Sequence, residues 1–209
     1  YVEAPRPDDS AADVFCDVDP TSWSYDGIEF CYMSGLMSGV GGAYFSPTTT
    51  TTRAQVVQIL YNFVGEPEVT GETPFTDLTQ DWYKNAVLWA YQNGVVAGTS
   101  ATTFEPEKPV TREQIAVMFM EFAAKVLGMH NIGEAADLSA FPDGDQVSSW
   151  AREAMADAVA LGLISGVKTK DDTFLRPQGG ATREQVATIL MEFYTSIDNA
   201  LIDLSLIHI

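Results

Sequence analysis

Three arginines recur at one position of a repeated motif, Arg53, Arg112 and Arg183, and they are half of the arginines in a chain poor in bases. A guanidinium fork can meet a carboxylate with two parallel hydrogen bonds. Each Arg follows a Thr that opens a helical pattern, where the macrodipole disfavours a cation by roughly 0.3–1 kcal/mol. A purely structural design would place an acid there, whereas a cation beside free helix N–H groups is an anion trap. The alternative is that each Arg pairs with an acid of its own or a neighbouring copy, Asp17, Asp77 or Asp143. An Arg held in that way could still take a ligand. Trp23, Trp82 and Trp150 recur as well. On an apolar stripe they read as core, and at a groove edge an indole can stack on the C–H face of a sugar ring while its N–H donates. Gly39, Gly98 and Gly166 complete the set; they mark an unusual backbone conformation or a close approach, structural first and ligand-facing second.

Other chemistries are not supported. Nothing in the pattern suggests a repeated nucleophile–base pair, a metal-ligand cluster or a phosphate-cradling glycine loop, so neither catalysis nor a cofactor is expected. Asp143-Gly144-Asp145 is rejected as a calcium loop, because Val147 and Ala154 fall where oxygen ligands are required. His130 stands in a linker and is expected to be exposed.

The elements that position these residues follow from a threefold repeat. One constant offset carries Trp23 onto Trp82, Gly35 onto Gly94, Phe45-Ser46-Pro47 onto Phe104-Glu105-Pro106, and Thr52-Arg53-Ala54-Gln55 onto Thr111-Arg112-Glu113-Gln114. A third copy gives Trp150, Gly162, Gly166 and Thr182-Arg183-Glu184-Gln185, with extra residues around Val167 to Leu175. The copies open with Phe15-Cys16-Asp17, Phe75-Thr76-Asp77 and Phe141-Pro142-Asp143. In copy two, Trp82, Ala86 and Trp89 lie at i, i+4 and i+7, predicting a helix from about Gln80 to Asn93 capped by a left-handed Gly94. The second helix starts at Thr111 with the stripe Ile115, Phe119, Phe122; its counterparts are Val56, Leu60, Phe63 and Val186, Leu190, Phe193. Thr-x-x-Gln at each start predicts a capping box. The stretch between the two helices is too short and broken for a long strand.

One helix pair cannot bury its stripe alone. The expectation is therefore an all-α fold of three tandem helix-loop-helix repeats, at 12–69, 72–130 and 138–200, packed with pseudo-threefold symmetry around a shared helical core. Linkers are expected at about Glu66–Thr73 and Met129–Asp137.

The chain has 209 residues, 46% of them hydrophobic, and a net charge of −18 from 29 acids against 11 bases. That balance argues against nucleic acid and against an anionic membrane surface. No apolar run approaches the roughly 18–20 residues a spanning helix needs, so membrane insertion is not expected. Cys16 and Cys31 are read as reduced, buried thiols, with one bridge left open. Tyr1 is not an initiator Met, so the true start, with any export signal, is expected upstream. Residues 204–209, Leu-Ser-Leu-Ile-His-Ile, read as the translation of a common transposase sequencing adapter, the alternative being an apolar C-terminal tail; His208 is left out of the chemistry either way.

Phe-x-Asp, Trp, Ala-x-x-x-Gly-(Leu/Val)-x-x-Gly, Phe-x-Pro and Thr-Arg-(Ala/Glu)-Gln in order resemble the S-layer homology repeat, over roughly residues 12 to 197. The usual signature ends in Thr-Arg-Ala-Glu, and here Gln replaces the Glu in every copy. Copy one also has Gly27 where the others have Ala86 and Ala154, which weakens its first helix. The resemblance implies non-covalent anchoring of a larger exported protein at the bacterial cell surface. Its partner would be a secondary cell-wall polysaccharide, often bearing ketal-linked pyruvate, bound in grooves between repeats with the motif Arg contributing. The ligand-binding set is then Arg53, Arg112, Arg183, Trp23, Trp82, Trp150, Asp17, Asp77, Asp143, Gly39, Gly98 and Gly166. A protein-interaction or self-assembly module on the same scaffold is the alternative.

Overall fold

The computed structural model describes residues 9–129 and 134–206, with side chains through residue 197. Its α-helices are α1 (Ala11–Val14), α2 (Tyr25–Met33), α3 (Arg53–Phe63), α4 (Asp81–Gln92), α5 (Arg112–Lys125), α6 (Arg152–Ala160) and α7 (Arg183–Leu206). The all-α expectation holds, with one small addition. Where the third copy carries its extra residues, Val167–Lys168 (β1) pairs antiparallel with Thr173–Phe174 (β2). His130 and positions 207–209 lie outside the described residues.

The helix ends are set by local chemistry. Thr52 Oγ1 accepts from Gln55 N, and Gln55 Oε1 accepts from Thr52 N at 2.9 Å. The same reciprocal bonds join Thr111 with Gln114 and Thr182 with Gln185. Gly94 caps α4 at φ +69°, and Gly35 and Gly162 take the same left-handed conformation in their copies.

The chain divides into two compact units, and neither is a sequence repeat. The larger comprises Thr50–Ala160 and Ile164–Ala181; the smaller comprises the chain up to Thr49, Leu161–Leu163, and the chain from Thr182. In both units a repeat's second helix packs on the first helix of a different repeat: α3 on α4, α5 on α6, and α7 on α2.

In the larger unit Val56, Leu60, Ile115, Phe119 and Phe122 are buried as their spacing predicts, with Phe63 half-buried. Trp89 lies 5.6 Å from Tyr61 and 6.2 Å from Phe122, ring centre to ring centre. Of the first-helix stripe expected in copy two, Ala86 and Trp89 are buried, but Trp82 is not. Tyr83 is fully buried and Trp82 is 47% exposed. The buried face is Tyr83, Ala86, Val87, Trp89 and Ala90, which leaves Trp82 outside it. Reading the recurring tryptophans as core is therefore corrected: Trp23 and Trp150 are also exposed, while the residues after them, Ser24 and Ala151, are buried.

Three residues that precede the capping threonines close a hydrogen-bonded ring in the larger unit. Thr51 N donates to Ala181 O (2.9 Å), Ala181 N to Val110 O (3.2 Å), and Val110 N to Thr51 O (2.9 Å). This cyclic ring is the threefold element of that unit, and all three residues are fully buried. Thr51 Oγ1 has no hydrogen-bond partner there. A buried, unsatisfied hydroxyl costs about 1–3 kcal/mol. Thr51→Val keeps the shape and removes the hydroxyl, so it is expected to raise stability by about 1 kcal/mol in urea denaturation; a lower midpoint would contradict this account.

In the smaller unit Val186, Leu190 and Phe193 of α7 are buried, and α2 lies against that helix. A Cβ on Gly27 would stand 2.8 Å from the Thr188 backbone. The glycine that looked like a weakness in α2 is what lets the two helices approach. Both cysteines are free thiols, but only Cys31 is buried as expected; Cys16 is exposed. Burial pushes the Cys31 thiol up to about 12, although Arg183 opposes the shift.

Candidate functional site

The three motif arginines occupy equivalent, deeply buried positions with 5%, 7% and 6% exposure for Arg53, Arg112 and Arg183. Each Nε donates to the carbonyl of the loop residue at one repeat position: Arg53 to Phe104 O (2.9 Å), Arg112 to Leu175 O (2.7 Å) and Arg183 to Phe45 O (2.8 Å). A second donor reaches Ala97 O from Arg53 and Ser38 O from Arg183. Arg53 also stacks 4.6 Å above the Phe104 ring, and Arg183 does the same over Phe45. Leu175 offers no ring, so Arg112 lacks this contact. Burial lowers the pKa of all three, opposed by Asp77 and Glu105 at Arg53, Asp143 at Arg112 and Asp17 at Arg183. Guanidinium basicity is high enough that each stays a cation.

The expected pool of free helix N–H groups is not present. Arg53 N and Ala54 N donate to Lys108 O and Pro106 O; Arg112 N and Glu113 N donate to Gly179 O and Pro177 O. In the smaller unit Arg183 N and Glu184 N donate to Thr49 O and Pro47 O. The next N–H of each helix goes to the capping Thr. An anion approaching here meets side chains, not a bare helix terminus.

The aspartates do not form ion pairs with these arginines; among the described residues the ion pairs involve lysines. Each carboxylate instead grips two successive backbone N–H groups. Asp17 accepts from Phe45 and Ser46 (2.8 and 2.7 Å), Asp77 from Phe104 and Glu105 (2.9 and 2.7 Å), and Asp143 from Leu175 and Arg176 (2.8 and 2.7 Å). The second residue of each pair is left-handed, with φ of 59°, 58° and 49° at Ser46, Glu105 and Arg176. The carboxylate holds a strained turn, and the Arg binds the carbonyl of that turn.

For Asp77, burial pushes the pKa up, but the N–H groups of Phe104 and Glu105, with Arg53 nearby, outweigh it and hold it below the ordinary value. Such a group stabilises the fold above the unfolded carboxyl pKa of about 3.9, and that contribution disappears as pH falls through the lower folded value. Asp77→Asn should cost about 1–3 kcal/mol at pH 7, because its amide nitrogen faces an N–H. The gap to wild type in chemical denaturation should narrow as pH drops below about 4. A pH-independent gap would contradict the carboxylate's role.

A groove of about 470 Å³ in the larger unit brings Arg53, Gly98 and Trp150 together, one candidate from each repeat. The start of α3 supplies Arg53, the loop after α4 supplies Val95 to Thr99, α5 supplies Gln114 and Met118, and the turn before α6 supplies Trp150. Two of the five Arg53 donors are spent on carbonyls, so its remaining edge can serve the groove. Trp150 is 59% exposed, a free aromatic face. Gly98 is held by close approach: a Cβ would stand 2.6 Å from the Phe75 ring and from Thr103 O. Gly39 and Gly166 meet Phe15 and Phe141, the opening aromatics of their own copies, and only Gly166 is left-handed, at φ +80°. Gln114, read from sequence only as a cap, lies on the groove wall, as do Val95 and Val96. Its occurrence in place of the signature Glu was the available signal.

The three arginine surroundings differ in charge. The left-handed position beside each holds Ser46, Glu105 or Arg176. Arg176 is close enough to add to the burial that lowers the pKa of Arg112, whereas Glu105 supports the charge of Arg53. A second pocket of about 320 Å³ in the smaller unit is lined by Asp17, Asp19, Ser24 and Glu184, with no arginine.

The S-layer homology domain profile matches residues 14–57, 74–116 and 140–187. The surface-layer 125 kDa protein of Lysinibacillus sphaericus is 30% identical over 85% of this chain and 14% of that protein. An endoglucanase of Bacillus sp. (strain KSM-635) is 30% identical over 84% of this chain and 18% of its own length. The cellulosome-anchoring protein of Acetivibrio thermocellus is 29% identical over 74% of this chain and 34% of that protein. The chain thus spans between 14% and 34% of the length of these relatives. No described helix is long and apolar enough to cross a membrane. With three matched segments in register with its three repeats, the chain belongs to the S-layer homology domain family.

Proposed function

We propose that this chain is an extracellular, non-catalytic anchoring module that holds a larger protein to an acidic secondary polysaccharide of the bacterial cell wall. The observation that carries the reading is the groove uniting a buried cation, a glycine-walled edge and an exposed indole from three repeats. A guanidinium edge suits a carboxylate, and an indole face suits the C–H face of a sugar ring. A sugar bearing ketal-linked pyruvate offers both features on one residue. The family and the surface-layer and cellulosome-anchoring relatives support the cell-surface setting.

The net charge of −18 disfavours indiscriminate adhesion to anionic wall polymers and leaves selection to local cationic sites. The carboxylate requirement is tested by competition. Wall fragments carrying pyruvate should displace the protein from immobilised polysaccharide, and the same fragments after mild acid removal of the pyruvate should not. Equal displacement by both preparations would reject the carboxylate as the recognised group.

A further inference from the structure

Glu113 is a carboxylate that anchoring, as described above, leaves unused. It is 2% exposed on α5, where an unpaired charge would carry a desolvation cost of several kcal/mol. Three donors compensate it. Ser148 N (3.0 Å) and Ser148 Oγ (2.9 Å) reach its two oxygens, and Gln178 Nε2 (2.7 Å) shares one of them. Ser148 is the capping residue of the short 3₁₀ turn Ser149–Ala151, and that turn carries Trp150 into the groove.

The other copies supply a parallel and a contrast. In the smaller unit Glu184, at the same repeat position, accepts from Ser24 Oγ (3.1 Å), and Ser24 directly follows Trp23. In the first copy the position is Ala54, which has no side-chain oxygen to offer. The start of the helix bearing Trp82 is instead held by the Tyr83 hydroxyl, which accepts from Thr79 N and Gln80 N, both at 3.2 Å. A second helix can therefore be built without an acid at this position, as α3 is, so the acid answers to the tryptophan turn and not to the helix.

We infer that Glu113 is a positioning residue for ligand recognition, fixing the turn that presents Trp150 as a stacking face opposite Arg53. The inference rests on the groove being the glycan site, but its structural half stands apart from any glycan. An indole fixed before binding has less freedom to lose when the ligand arrives.

The test is fluorine NMR of the full chain labelled with 5-fluorotryptophan, with the Trp150 line assigned through Trp150→Phe. Glu113→Ala should shift or broaden the Trp150 line and leave the Trp82 line in place. Ser148→Ala, which removes the hydroxyl's bond to Glu113 and the longer one it accepts from Gln178 Nε2 but spares the buried carboxylate, should do the same to a lesser degree and serves if Glu113→Ala does not fold. An unmoved Trp150 line in the folded variants would overturn the inference. Affinity for immobilised wall polysaccharide supplies the second readout. Glu113→Ala should weaken binding severalfold in wild type and add little to Trp150→Ala, since both act on one contact. Fully additive losses would overturn the role in recognition. If wild type binds no polysaccharide while the Trp150 line still moves, the anchoring reading fails and the positioning of Trp150 by Glu113 is upheld.

Discussion

Arg183→Ala is expected to cost about 2–5 kcal/mol of folding stability, from the buried carbonyl it leaves unmet and the ring contact it removes. The guanidinium donates to Phe45 O at 2.8 Å and to Ser38 O at 2.6 Å and stacks over the Phe45 ring. Alanine leaves both carbonyls without that donor; the buried Phe45 O costs about 1–3 kcal/mol unmet, whereas Ser38 is exposed and its carbonyl can turn to water. The lost cation–π contact adds roughly 0.5–2 kcal/mol. Lysine keeps the charge but lacks the fork, so Arg183→Lys should recover less than half of the loss. Guanidinium denaturation followed by circular dichroism measures both. A change in stability under about 1 kcal/mol for Arg183→Ala would show that the arginine is held for its ligand alone.

This expectation alters how an arginine substitution should be read. Loss of wall binding after Arg53→Ala or Arg183→Ala mixes recognition with collapse of the turn that the arginine clamps. Trp150 offers a cleaner probe, being 59% exposed at the edge of the groove. Trp150→Ala should leave stability within about 0.5 kcal/mol of wild type, as surface substitutions do. Affinity for polysaccharide should nonetheless fall about tenfold or more, the loss of roughly 1.4 kcal/mol or greater expected of a Trp hot spot. Calorimetric titration with solubilised polysaccharide, paired with a thermal melt, separates the two effects. Unchanged affinity would remove Trp150 from the site.

Much of the scaffold could be read from the residues. Thr-x-x-Gln declared the capping boxes, Gly94 the left-handed end of α4, and the spacing of Ile115, Phe119 and Phe122 the buried face of α5. These are local signals, fixed by chemistry within one or two helical turns. Ala86 and Trp89 of α4 are buried as read, but its first turn was harder, because Trp82 and Tyr83 are adjacent large aromatics and hydropathy favours the indole. Packing chose Tyr83, whose hydroxyl also meets the N–H groups of Thr79 and Gln80.

The site was legible as a set of residue types but not as a geometry. The sequence left open whether an arginine would meet an aspartate of its own or a neighbouring copy; Arg53 and Asp77 do act on one another, but through the Phe104 peptide. Backbone carbonyls and amides leave no mark in residue types, so a clamp made from them is invisible to motif spacing. The pairing of α3 with α4 and α7 with α2 is similarly hidden. A repeat shows which faces are apolar and not which copy will cover them. Gly27 is the exception in retrospect, since its departure from the alanine of the other copies marks the close approach to Thr188.

Sedimentation of the purified protein with bacterial sacculi, before and after chemical removal of their secondary polysaccharide, tests the anchoring account most directly. Wild type should pellet with intact sacculi and stay in solution with stripped ones, while folded Trp150→Ala should pellet poorly with both. Equal sedimentation with intact and stripped walls, or folded protein that ignores every wall and associates with itself as its concentration rises, would contradict glycan anchoring and favour a protein-interaction module.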